Sequence, residues 1–183
     1  MEFTIRSAAL EDAHAVARVQ VESWRTTYPG IVPLAFLASL SVEASAQRWR
    51  EQLSSGNNPI FVAEDMGHPF GFASGGPLRS PIPGYDGELY AIYLLRDSQR
   101  HGAGRRLVET IAGALRTRGF HGMAGWVLAR NPAVGFYKAL GGVQIARQPI
   151  AIGGAELEEL AFGWPDLDLC LGAGPRLSRE APA

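Results

Sequence analysis

A strand–helix–strand run between Glu88 and Leu128 constrains the fold most. Glu88 to Leu95 reads as a strand. A glycine-bearing turn follows, Gln99-Arg100-His101-Gly102-Ala103-Gly104, and then a helix from about Ala103 to Arg118. Leu107, Val108, Ile111 and Leu115 recur at helical spacing and mark its buried face. Gly119 ends the helix, and Met123 to Leu128 reads as the next strand. Two strands joined by a crossover helix imply parallel pairing.

The flanking elements extend this unit. Phe3 to Ile5 reads as a strand, and Leu10 to Thr27 as a helix with Glu11 and Asp12 near its positive end. Pro29-Gly30 stops it. Pro33 to Leu40 reads as a short helix, and Ser41 caps another that carries Val42, Ala46, Trp49 and Leu53 on one face. Ile60 to Glu64 and Phe70 to Ser74 read as a hairpin turned at Asp65-Met66-Gly67-His68. Residues 77–87, with Pro77, Pro81, Pro83, Gly84 and Gly87, form a long loop. Pro132 to Leu140 is a short helix stopped at Gly141-Gly142. Strands around Val143 to Ile152 and Glu156 to Phe162 flank a Gly153-Gly154 turn. The expected fold is α/β (α+β): a mixed, mostly antiparallel central sheet with helices on its faces, in one domain over 1–165 with a frayed tail over 166–183.

Composition narrows the function. Apolar residues are 46% of the 183 and charged residues 19%, so the chain is globular rather than disordered. Lys+Arg at 17 against Asp+Glu at 18 gives a net charge of −1, which weighs against a dedicated nucleic-acid binder. No apolar run reaches the roughly 18 residues of a membrane span, and the N-terminus lacks the pattern of a signal peptide. The single cysteine, Cys170, excludes an internal disulfide and a multi-cysteine zinc site. It fits a cytoplasmic location, and with no histidine near it in sequence a covalent acyl-cysteine route is not expected. His14, His68, His101 and His121 have no metal-ligand spacing, so no metal is expected.

The turn at 99–104 carries the chemistry. Its glycines permit close approach of a ligand, and the helix start offers unpaired N–H groups with a positive dipole end. Arg96, Arg100, His101, Arg105 and Arg106 surround it against one acid, Asp97. That is a field for a pyrophosphate. It is neither the P-loop nor the dinucleotide fingerprint; a Gly-x-Gly turn of this kind also serves as a plain tight connection.

A second cluster decides between these readings: Asn131-Pro132-Ala133-Val134-Gly135-Phe136-Tyr137-Lys138-Ala139-Leu140-Gly141. Paired with Gln99-x-x-Gly102-x-Gly104 in that order, it resembles the GCN5-related N-acetyltransferase (GNAT) superfamily, over roughly residues 3–163. The resemblance implies a splayed parallel strand pair forming an acyl-CoA cleft. It implies that backbone groups in Ile92-Tyr93-Leu94 hold the pantetheine arm. Gln99, Arg100, His101, Gly102, Ala103, Gly104 and Arg105 would hold the pyrophosphate, and Asn131 the cofactor near the pantetheine. Asn131 before Pro132 is equally a helix cap. Tyr137 matches the family tyrosine that protonates the leaving thiolate, although a helix tyrosine beside Phe136 is also ordinary core. Glu88 matches a glutamate that acts as general base in one branch; alternatively it is an exposed acid at a strand end. Three positions depart from the common pattern: Arg96 for proline, Arg100 for glycine and Gly142 for an aromatic. The last is expected to loosen packing beneath Tyr137.

The implied activity is acetyl transfer from acetyl-CoA to a primary amine, by direct attack in a ternary complex. The acceptor is a small molecule or a peptide N-terminus or lysine, and no nucleic acid or membrane is involved. Homodimers are frequent in the family. Trp24 and Tyr28 are the main candidates for the acceptor side, with Tyr85, Tyr90 and Trp126 behind them. The competing reading is a non-catalytic acyl-CoA binding or sensing module on the same fold; the presence of Tyr137 argues against it.

Overall fold

The structure is a computed structural model and describes residues 2–167. Seven strands form one sheet in the order β1-β2-β3-β4-β5-β7-β6. These are β1 (Thr4–Ser7), β2 (Ile60–Asp65), β3 (His68–Pro77), β4 (Gly87–Leu94), β5 (Met123–Leu128), β6 (Val143–Ile152) and β7 (Ala155–Trp164). Every neighbouring pair is antiparallel except β4 with β5. The expected mixed sheet and its one parallel pair are present.

The helices are α1 (Ala13–Thr27), α2 (Leu34–Ser39), α3 (Val42–Ser55), α4 (Ala103–Thr117) and α5 (Val134–Ala139). Alternation along the strands sends side chains to a core on each face, and a third cluster joins Tyr28, Val32 and Leu37 to Leu128. On one face, Leu107, Ile111 and Leu115 of α4 pack on Leu89, Met123 and Phe162. On the other, Val16 and Val19 of α1 pack on Val62 and Phe72, with Trp49 of α3 against them. Ser41 caps α3 as expected, its hydroxyl taking the Ala44 N–H at 3.2 Å. The first helical stretch divides: Leu10–Asp12 is a single 3-10 turn, and the α-helix begins at Ala13.

Asp12 explains that break. Its carboxylate takes the Ala9 N–H at 2.7 Å and two bonds from Arg6 at 2.6 and 2.9 Å. Arg6 also bonds Glu64 at 3.0 Å, so β1, the turn and β2 share one ion network. The packed structure continues past the expected boundary at 165. Leu167 is buried in the α4-side core, and its N–H reaches His121 O at 3.0 Å. The rest of the expected tail, with Asp168 and Cys170, lies outside the described residues. Among those residues no helix is long and apolar enough to cross a membrane.

The Arg6 hydrogen bonds hold the Asp12 carboxyl below its ordinary range, against a smaller opposing effect of burial. A depressed folded-state value stabilises the fold above the unfolded value of about 3.9 and loses that contribution as pH falls through the folded one. Thermal unfolding of Asp12→Asn beside the native chain is expected to show a lower Tm at pH 7. The gap should narrow below about pH 4. A gap independent of pH would contradict the assignment.

Candidate active site

β4 and β5 pair only at Gly87–Leu89 with Met123–Gly125. β4 runs on to Leu94 and β5 to Leu128, so beyond the third pair a gap opens inside the sheet. Its origin is local. At the fork the β3–β4 register shifts, with Ser74 opposite Ala91 but Gly75 opposite Leu89, so Tyr90 is an extra residue in β4. Such a bulge bends its strand and turns it from its neighbour.

Tyr137 stands at the fork. A Cβ on Gly125 would lie 3.6 Å from its ring. The ring stacks on Phe162 at 5.8 Å and 14°, meets Phe136 edge-on at 5.7 Å and tilts against Trp164 at 5.8 Å. Burial pushes the phenol well above its ordinary pKa, and the nearby Tyr93 phenol adds to the rise. The hydroxyl therefore keeps its proton throughout the working range. Gly142 does not loosen this packing. A Cβ there would meet the Trp164 ring at 2.8 Å and Tyr137 O at 2.9 Å. Trp164, from β7, fills the space beneath Tyr137 and ties its indole N–H to Leu140 O at 3.0 Å.

The start of α4 meets the mouth of the gap. Around Gly104 lie Phe136 of α5 and the Leu94 side chain of β4, at 3.3 and 3.6 Å from an added Cβ. A side chain at 104 would crowd the Phe136 ring. Arg100 and Gly102 both adopt left-handed backbone, at φ 68° and 88°. A glycine at 100 would hold that conformation without steric cost, so the arginine is kept against a backbone penalty. The basic cluster divides. Arg96, Arg100 and His101 are exposed at the turn. Arg105 reaches Ala139 O at 3.2 Å, and Arg106 lies over the Phe3 ring at 4.8 Å. Gln99 braces the turn, its amide donating to Leu94 O at 3.2 Å; Ser23 Oγ donates to the same carbonyl at 3.1 Å.

Two bridges from α1 close the wide end of the gap. Trp24 donates its indole N–H to Tyr93 Oη on the β4 arm at 2.9 Å. Tyr28 Oη, past the end of α1, accepts from Asn131 Nδ2 on the β5 side at 2.9 Å. The Trp24 and Tyr28 rings touch at 4.6 Å. Asn131 Oδ1 takes the Ala133 N–H at 2.8 Å, in a turn ahead of α5 rather than as the residue bordering the helix.

Glu88 is not the exposed acid that one reading allows. It is buried beneath Arg79 of the 78–86 loop, whose Nε and Nη2 reach Oε1 and whose backbone N–H reaches Oε2. Arg79 also lies over the Tyr90 ring at 4.7 Å, and Tyr90 donates to Pro77 O at 2.5 Å. On this α1–α3 face a cavity of about 440 Å³ runs along β4 past Tyr90, Ala91 and Tyr93. Tyr85 packs over Gly163 at the sheet, and Trp126 is half-buried on β5. Sequence reasoning missed Arg79 and Trp164, and saw Tyr93 only as backbone. Arg79 lies past the last β3–β4 pair, Pro77 with Gly87, and meets Glu88 only because the loop folds back.

Residues 19–141 match the acetyltransferase (GNAT) family model. The chain is a member of this family. It is 47% identical over 165 residues to a Bacillus subtilis protein named as the uncharacterized N-acetyltransferase YuaI, covering 90% of this chain and 94% of that one. It is 31% identical over 141 residues to a probable N-acetyltransferase of Mycobacterium tuberculosis, covering 73% and 76%. Solved structures share the GNAT fold. PaiA N-acetyltransferase of Thermoplasma acidophilum, in complex with coenzyme A, superposes with a TM-score of 0.67 at 21% identity, over 87% of this chain and 98% of that one. The yncA structure of Salmonella typhimurium with its cofactor acetyl-CoA superposes with a TM-score of 0.68 at 23% identity, over 92% and 95%.

Gly142→Ala should drive Trp164 from beneath Tyr137 and cost about 1–3 kcal/mol, as overpacking does. Gly135→Ala, whose added methyl meets nothing within 4 Å, is the control and should cost nothing. Equal denaturant midpoints for both variants would contradict the packing assigned to Trp164.

Proposed function

We propose that the chain is an acetyl-CoA-dependent N-acetyltransferase that acylates a primary amine by direct attack. The observation that carries this is the gap itself, with a buried tyrosine at its fork and a helix N-terminus at its mouth. The first turn of α4 and the turn at Arg100–Gly102 hold the pyrophosphate on backbone N–H groups. Pantetheine carries two amides, which lie along Ile92 and Leu94 like an added strand. The Leu94 carbonyl already accepts from Ser23 and Gln99, so there the N–H is the group offered.

The acetyl carbonyl lies near the bulge, where a β4 N–H polarises its oxygen. The amine nitrogen attacks the carbonyl carbon, the new C–N bond forms, and the C–S bond breaks. Tyr137 gives its proton to the departing thiolate. Both partners are desolvated in the same cleft, so the thiol pKa rises with that of the phenol and the transfer stays balanced. The ammonium proton passes through water to Glu88 once Arg79 releases Oε1, and from there returns to solvent. Trp24 and Tyr28 wall the acceptor side, and Asn131 sets the β5 arm that faces the cofactor. A chain that only binds acyl-CoA would have no use for a protonated phenol at the fork.

Tyr137→Phe should lower kcat by more than tenfold with coenzyme A affinity nearly unchanged, read by thiol release and calorimetry. Because burial raises the phenol, native activity should show no alkaline fall below about pH 10. Glu88→Gln should lower kcat/KM about tenfold at pH 7, with the loss closing as pH approaches the amine pKa of about 10. Full turnover in Tyr137→Phe would refute the acid role; a pH-independent loss in Glu88→Gln would refute the base role.

A further inference from the structure

The cavity on the α1–α3 face has a composition that the transfer step does not explain. Arg48 of α3 and Arg79 of the 78–86 loop both line it, together with Gln20, Gln52, Asn58 and Ser74. No acid lines it among the described residues. Arg48 has no ion pair or hydrogen bond among the described residues. Gln20 Oε1 takes Ser45 Oγ at 2.7 Å and Trp49 Nε1 at 2.8 Å. That fixes the amide and leaves its two N–H donors over. Arg79 spends Nε and Nη2 on Glu88 and has Nη1 in reserve. The walls therefore carry surplus donors and, counting Glu88 against Arg79, a net charge of about one positive unit.

Surplus donors on guanidinium and amide groups recognise an oxyanion. One unit of net positive charge matches a carboxylate and falls short of a phosphate dianion. The cavity is also placed for an acceptor. It lies on the sheet face opposite α4, away from the cofactor cradle. Its far wall is Tyr93, on the stretch of β4 that borders the gap beyond the last pair with β5.

We propose that this cavity holds the carboxylate of the acceptor, so that the amines acetylated are small amino-acid-like molecules with a carboxylate and a primary amine. This rests on the acetyl-transfer reading above. Arg48 and the free Nη1 of Arg79 bind the carboxylate, with Gln20 and Asn58 at its sides. The amine then points along Tyr90 and Tyr93 to the gap. A carboxylate on Arg79 competes with Glu88 for the same guanidinium, so acceptor binding loosens the hold on the base.

Two measurements on the full chain separate this from the reaction itself. Calorimetry with butyrate, a monocarboxylate without an amine, reads the cavity without turnover. Binding to the native chain that weakens at least tenfold in Arg48→Ala is expected; no binding, or equal binding to both, overturns the proposal. Arg48 is exposed on α3, so the variant folds. Thiol release from acetyl-CoA is then followed with amino acids, their carboxamides, phosphoethanolamine and a C-terminally amidated peptide. The acids should exceed their carboxamides at least tenfold in kcat/KM, and Arg48→Ala should erase that preference through KM. Preference for a carboxamide, the phosphate or the peptide overturns the carboxylate assignment and leaves acetyl transfer standing. Failure of every acceptor to give thiol release, while butyrate still binds through Arg48, sinks the transfer reading and leaves the cavity a carboxylate site.

Discussion

The structure depends on where one strand pairing stops. β4 and β5 lie in the middle of the sheet, where backbone N–H and C=O groups ordinarily find partners on both sides. Their pairing ends after Leu89 and Gly125. The backbone beyond must be satisfied by something other than a strand, because an unpaired buried polar group costs about 1–3 kcal/mol. At Leu94 the carbonyl is met by Ser23 and Gln99. The remaining edge is an empty strand position with amide spacing, to which a ligand carrying amides is complementary.

Much of the surrounding architecture braces that gap. α1 bridges it, with Trp24 on Tyr93 and Tyr28 on Asn131. α4 and α5 floor it through Gly104, Phe136 and Tyr137. Trp164 supports the floor from β7. The two sheet faces have separate roles. One carries the N-terminus of α4 at the mouth of the gap, and the other the polar cavity along β4. The fork is where they meet, and Tyr137 and Tyr93 face it from opposite sides.

The elements and their order were legible from hydrophobic period and glycine punctuation, and the parallel pair from the crossover helix. The paired motif located Tyr137, Asn131 and the 99–104 turn. What escaped was set by tertiary contact. The burial of Glu88 depends on Arg79 folding back from a loop, which no local pattern announces. Gly142 reads as a missing aromatic until β7 brings Trp164 under Tyr137. The split at Asp12 depends on Arg6, across β1. Trp24 and Tyr28 were expected beside the acceptor, but their role as struts between the two arms required both arms in place.

The most direct test of the account is amide hydrogen exchange at Ile92 and Leu94, with and without coenzyme A. If the cofactor occupies the empty strand position, exchange at these residues should slow at least tenfold on binding, while Val62, deep in the sheet, is unaffected. Coenzyme A that binds without slowing exchange at either residue would contradict the claim that the splayed edge of β4 is its site.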